Sequence, residues 1–165
     1  MNKSGFTLIE VLLYSALAVV IFSASYFYFN IILESRVSSQ VAREVEGQGW
    51  QIAQKISQDL RNAININSPA TSTSGSTLSF NTTAATTTPT IYTTSSLQMI
   101  VTRGSSTTVT LTNERVNVSD LQFSNLSRTG THGNIRFQFT LTHVNPSGQE
   151  PYDYSRTFVG SASLR

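Results

Sequence analysis

Twenty-three consecutive residues, Val11 to Leu33, carry no charge and no proline. A helix of that length spans roughly 30 Å of hydrocarbon, and this one demand constrains everything the chain can become. The run nears its far end at Tyr26, Phe27, Tyr28 and Phe29, aromatic rings suited to a membrane interface. Just ahead of it stands Glu10, the only carboxylate before Glu34. A lone carboxylate at the mouth of such a run is costly unless something compensates it. Thr7 and Glu10 have the spacing of a capping box, with Thr7 as N-cap and Glu10 at N3, and the helix dipole favours a carboxylate there.

Lys3 and the initiator amine flank the near side of the run, against Glu34, Arg36 and Arg43 on the far side. The orientation expected is the N-terminus in the cytoplasm with the remainder outside. A secretory signal peptide is the competing reading, with Ser23-Ala24-Ser25 resembling a cleavage site. Its apolar core is normally shorter, and here the run passes directly into another helical pattern.

In that second pattern Val37, Val41, Val45, Ile52, Ile56, Leu60 and Ile64 recur mostly at four-residue steps, which makes one apolar stripe. Gly47 and Gly49 interrupt it and offer a place to bend. Asn65, Asn67, Ser68 and Pro69 stop it. The expectation is one continuous helix of about 55 to 60 residues, about 85 Å long, apolar all round in residues 6–33 and one-faced in 34–67.

Residues 68–165 form a Ser/Thr-rich β domain. The stretch from Ser68 to Thr90 reads as a polar loop holding one short strand, Leu78 to Phe80. Strands follow at Leu97–Thr102 and Thr107–Leu111, around a turn at Arg103-Gly104, and then at Arg115–Phe123. The clearest alternation is Ile135, Phe137, Phe139 and Leu141 against Arg136, Gln138, Thr140 and Thr142. A last strand lies within Tyr152–Leu164, with Tyr154 and Phe158 pointing inward. Together these give an α+β fold: an antiparallel sheet with one apolar face, covered by the helix stripe.

Little in the chain points to catalysis. The absence of cysteine removes disulfides, thiol chemistry and cysteine-ligated metals. His132 and His143 lie at no ligand spacing; His132 reads as a turn residue and His143 as a structural one. Asn145, Ser147, Gln149, Glu150 and Asp153 gather near one turn, but not in the order of a calcium loop. No phosphate loop, nucleophile elbow or zinc helix occurs. The expectation is no enzyme, no cofactor, no metal and no catalytic residue. A net charge of +2 with no basic stripe and interleaved aromatics disfavours direct nucleic-acid binding. Trp50, the only tryptophan, is either an interface anchor or a cap on the sheet core. Asn81, Asn117 and Asn125 match the glycosylation pattern, which arises often by chance in a chain this rich in Ser and Thr.

Lys3-Ser4-Gly5-Phe6-Thr7-Leu8-Ile9-Glu10, leading into Val11-Leu12-Leu13, resembles the class III signal of type IV pilins and type II secretion pseudopilins. The resemblance implies a leader, residues 1–5, cut by the prepilin peptidase between Gly5 and Phe6. It further implies N-methylation of Phe6, and Glu10 as the glutamate required for assembly. It implies the pilin-like fold too, a long protruding helix laid on an antiparallel sheet. The stretch from Gln51 to Ile64 is similar to the same helix end in minor pilins and J-type minor pseudopilins. Phe27 stands where many major pilins carry a proline, and the C-terminal disulfide of many pilins is impossible here; both departures favour a minor subunit.

The function expected from the resemblance is therefore a structural subunit of a type IV pilus or secretion pseudopilus. Its partners are the prepilin peptidase, other pilin or pseudopilin subunits, and the inner membrane before assembly. The alternative is a single-pass, membrane-anchored extracytoplasmic binding or sensor domain that uses Glu10 only as a cap.

Overall fold

The computed structural model describes residues 7–105, 108–128 and 133–164. A single helix, α1, runs unbroken from Leu8 to Arg61 over 54 residues, about 80 Å at ~1.5 Å per residue. No proline interrupts it, and hydroxyls within the apolar half fold back onto the helix's own carbonyls. Its second half buries Val41, Val45, Gly49, Ile52, Ile56 and Leu60; of the stripe expected from the periodicity Val37 is only half-buried, and Gly49 is added to it.

The strands are β1 (Ala63–Ser68), β2 (Ser74–Gly75), β3 (Leu78–Thr82), β4 (Thr90–Ser95), β5 (Gln98–Arg103), β6 (Val109–Thr110), β7 (Val116–Asn125), β8 (Asn134–His143) and β9 (Ser155–Ser163). They form two antiparallel sheets rather than the single sheet expected. One has the order β1-β3-β4-β5-β6 and the other β2-β7-β8-β9. The Val118 N–H, on β7, donates to the Leu97 carbonyl beside β5 at 2.7 Å and joins the two. Along β8 the predicted alternation holds: Ile135, Phe137, Phe139 and Leu141 are buried. Phe139 stacks on Phe158 of β9 with ring centroids 5.4 Å apart, and Phe80 stacks on Tyr92 at 6.2 Å.

Besides the short strand β2, which lies in a stretch expected to be loop, two elements depart from expectation. The helix ends at Arg61 instead of reaching Ile66, and residues 63–68 become strand β1. Ile64 and Ile66 alternate with Asn65 and Asn67, so the same letters serve a period of two, and pairing with β3 selects that period. Ile64, expected on the buried stripe, is therefore 64% exposed. The second departure is β4, which reads as loop because it follows a long Thr-rich stretch and its buried residues, Thr90 and Tyr92, both carry hydroxyls. The hairpin around Arg103-Gly104 forms as expected, with Gly104 at φ +56°, a value that glycine adopts without strain.

One long apolar helix packed on antiparallel sheets is compatible with a pilin-like fold. The packed part of the helix begins at Val41.

Candidate functional site: the N-terminal helix

From Leu8 to Gln40 no residue of α1 is buried. Leu8 is 81% exposed, Phe22 73% and Phe29 61%, so apolar surface faces outward on every side. Ser15, Ser23, Ser25 and Asn30, within the apolar run, are satisfied within the helix. Ser23 donates to the Val19 carbonyl at 2.8 Å, Ser25 to Ile21 at 2.9 Å, and the Asn30 amide to Tyr26 at 2.9 Å. A helix that returns its own polar groups to its own backbone can sit in hydrocarbon without orphaned donors. This one is long and apolar enough to cross a membrane.

Thr7 is the N-cap, in extended conformation, and its carbonyl accepts from the N–H groups of Glu10 at 3.1 Å and Val11 at 3.2 Å. The reciprocal side-chain bonds of a capping box do not form, because the Thr7 hydroxyl makes no cap bond. Glu10 turns along the helix instead and accepts a hydrogen bond from the Tyr14 hydroxyl at 3.3 Å, one turn on. Gly5 and Phe6, where the resemblance implies leader cleavage and methylation, lie outside the described residues, as does His132.

Beyond Gln40 three acidic side chains of α1 tie it to the β layers. Glu44 accepts from the Asn113 amide at 2.7 Å and faces Arg115 at 3.9 Å. Glu46 accepts from the Tyr154 hydroxyl at 2.8 Å and from the Arg156 guanidinium. Asp59 accepts from both Tyr92 and Arg103 on the same oxygen, each at 2.6 Å. These contacts leave electrostatic marks. The Tyr154 hydrogen bond, with Arg156 beside it, lowers the Glu46 pKa, and Glu46 in turn raises that of Tyr154. Burial and then Asp59 raise the Tyr92 phenol, and Asp59 raises Arg103. The sequence shows the charges on the polar flanks of α1, but not their β partners, which lie 33 to 110 residues away.

The remaining sequence candidates fall elsewhere. Trp50 is 56% exposed and touches only the rim of the core, meeting Phe158 edge-on with centroids 6.1 Å apart. His143 is half-buried and stacks on Tyr152 at 6.0 Å, its Nδ1 without a hydrogen-bond partner among the described residues. Asn145 closes its own turn through two bonds with Gln149. Among the described residues no three His, Asp or Glu side chains gather where they could hold a metal ion. The Asn125 amide is buried and donates to the Pro69 carbonyl, which takes it out of reach of modification in the folded chain.

Comparison with protein-family profiles, with curated proteins and with solved structures finds no match to this chain.

Proposed function

We propose that this chain is a minor pilin or pseudopilin, a structural subunit built into a type IV pilus or a type II secretion pseudopilus, or priming its assembly. The observation that carries the reading is the unburied helix from Leu8 to Leu33, apolar on all sides and headed by one carboxylate. An isolated helix of this kind has two satisfactory surroundings, lipid and a bundle of similar helices, and a subunit that moves between them needs both.

In this reading the chain first crosses the cytoplasmic membrane once, N-terminus inside and β domain outside. The prepilin peptidase cuts between Gly5 and Phe6, and the new Phe6 amine is methylated. Parallel helices staggered along a filament bring the Glu10 carboxylate of one subunit to the Phe6 amine of another. Pairing in a low-dielectric surround offsets the desolvation of both groups, whereas either alone is heavily penalised. Leaving lipid for protein yields no hydrophobic gain, so side-chain packing and this charge pair direct the transfer. No catalysis, cofactor, metal or nucleic-acid contact is part of the proposal.

N-terminal mass spectrometry of membrane-extracted protein tests it. A chain beginning at methylated Phe6 is the expected result. A chain that keeps residues 1–5 in a host with an active prepilin peptidase overturns the reading in favour of a membrane-anchored binding or sensor domain.

A further inference from the structure

Beyond the membrane-length run Lys55 pairs with Asp59 at 3.9 Å, which leaves Arg36, Arg43 and Arg61 as the other basic side chains of α1. Glu44, Glu46 and Asp59 all turn to the β layers and are bonded there. Arg36, Arg43 and Arg61 are exposed, and none of them has an ion pair or hydrogen bond among the described residues. Helical spacing puts these three on one face together with Gln40, Gly47, Trp50 and Gln54, at steps of three, four or seven residues. It is the face opposite the buried stripe of Val45, Ile52 and Ile56. From Arg36 to Arg61 it extends roughly 37 Å.

The same face has relief. The exposed side chains of Arg36, Ser39, Gln40 and Arg43 line the face at one end, and at the other a groove of about 770 Å³ is bounded by Trp50, Gln54 and Arg61 with the edge of β9. Between them Gly47 has nothing within 4 Å of where a Cβ would stand, so a second backbone can approach closely. Trp50 adds an exposed aromatic anchor. Glu34, the one acid near the start of the stripe, lies two residues from Arg36 and so on the far side of the helix.

We infer that this face is a docking surface for the helix of a different subunit, one that presents carboxylates to Arg36, Arg43 and Arg61. Two copies of this chain meeting face to face set arginine against arginine, so a second copy on this surface is disfavoured by charge. The inference deepens the assembly reading by assigning the class of neighbour, and it is measured without reference to leader processing, so the two can fail separately.

The test uses the full chain in nanodiscs of neutral phosphatidylcholine, with Trp50 as the only tryptophan reporter. The probe is a stapled helical peptide carrying three glutamates at the spacing of the three arginines; a control peptide carries lysines there. The glutamate helix is expected to shift Trp50 emission to the blue and to bind more weakly as salt rises. The Arg36→Gln/Arg43→Gln/Arg61→Gln variant should bind it about tenfold more weakly, roughly a factor of two for each exposed pair. Gly47→Leu should also reduce binding while leaving the melting curve of the free chain in place. Equal binding of the two peptides, or undiminished binding by the triple variant, overturns the inference. So does an arginine-dependent shift in nanodiscs containing phosphatidylglycerol without one from the glutamate helix, which assigns the face to lipid. A shift that grows with protein concentration and needs no peptide overturns it as well, in favour of self-association.

Discussion

The far end of the Phe158 ring, on β9, occupies the space that a side chain at Gly49 would need. Gly49 is buried where helix and sheet meet, and α1 runs through both Gly47 and Gly49 without a break. Gly49→Ala therefore forces the ring off its stack with Phe139 and should cost about 1–3 kcal/mol. Gly47→Ala, two residues earlier in open solvent, should be neutral or stabilising by up to about 1 kcal/mol. Chemical denaturation of the two variants side by side measures the contrast, and equal effects would remove the close-packing role given to Gly49.

Tyr92 makes the fold sensitive to alkali. Its phenol is fully buried and hydrogen-bonded to Asp59, and both features raise its folded pKa above the unfolded value of about 10. A raised folded pKa means that the stabilisation is complete below the unfolded pKa and is lost as pH climbs from there towards the folded value. Stability should therefore fall above about pH 10. Tyr92→Phe should reduce that slope while costing about 1 kcal/mol at neutral pH. Thermal melts between pH 8 and 11 test this; an unchanged alkaline slope in the variant would show that Tyr92 is not its source. Tyr154, raised by Glu46, contributes with the same sign.

The acid side depends on Glu46. Its carboxyl is held below the ordinary range of about 4.3 by the Tyr154 hydroxyl and by Arg156. A depressed folded pKa gives stability that is present above the unfolded pKa and lost as pH falls through the folded one. Wild type should thus lose stability below about pH 4, and Glu46→Gln should lose less over the same interval. Because the carboxylate is at the surface, the difference should shrink in high salt. Urea midpoints at pH 3.5 and 6, at two salt concentrations, provide the comparison.

The helix and its partner sheet are legible in the sequence because both carry long, regular patterns. Val41 to Leu60 repeat with the helical period, and Ile135 to Leu141 alternate with the strand period. Where a pattern is short or can serve two periods, long-range pairing decides. Ile64 continues the four-residue stripe yet belongs to β1, because β3 offers its neighbours a ladder. The separation into two sheets has no local signal at all, since it depends on which strand lies beside which. Gly49 could have been read as part of the stripe, standing four residues after Val45 and three before Ile52. At the N-terminus the residues on which the proposed function rests, Gly5, Phe6 and Glu10, stand within six contiguous positions, so a short motif is enough to suggest them.

Leader removal should be blocked by a bulky residue at the cleavage site. Gly5→Arg is expected to leave a heavier chain, still carrying residues 1–5, in a host where wild type is processed. Intact-mass measurement of the membrane fraction reads the difference directly. Normal processing of the variant would place the cut elsewhere and remove Gly5 from the proposal.

Glu10 can be separated from its local partner. Glu10→Gln removes the charge but keeps the size, and the helix from Leu8 onward remains apolar enough to insert. Membrane extraction should therefore yield wild-type amounts, while incorporation alongside partner pilins falls, because a neutral amide no longer offsets a buried amine. Tyr14→Phe removes the 3.3 Å hydrogen bond to Glu10 while keeping the ring and should leave incorporation near wild type. Pulldown with partner pilins distinguishes the cases. If Tyr14→Phe and Glu10→Gln reduced recovery equally, Glu10 would act through its own helix; if neither did, the carboxylate would have no part in assembly.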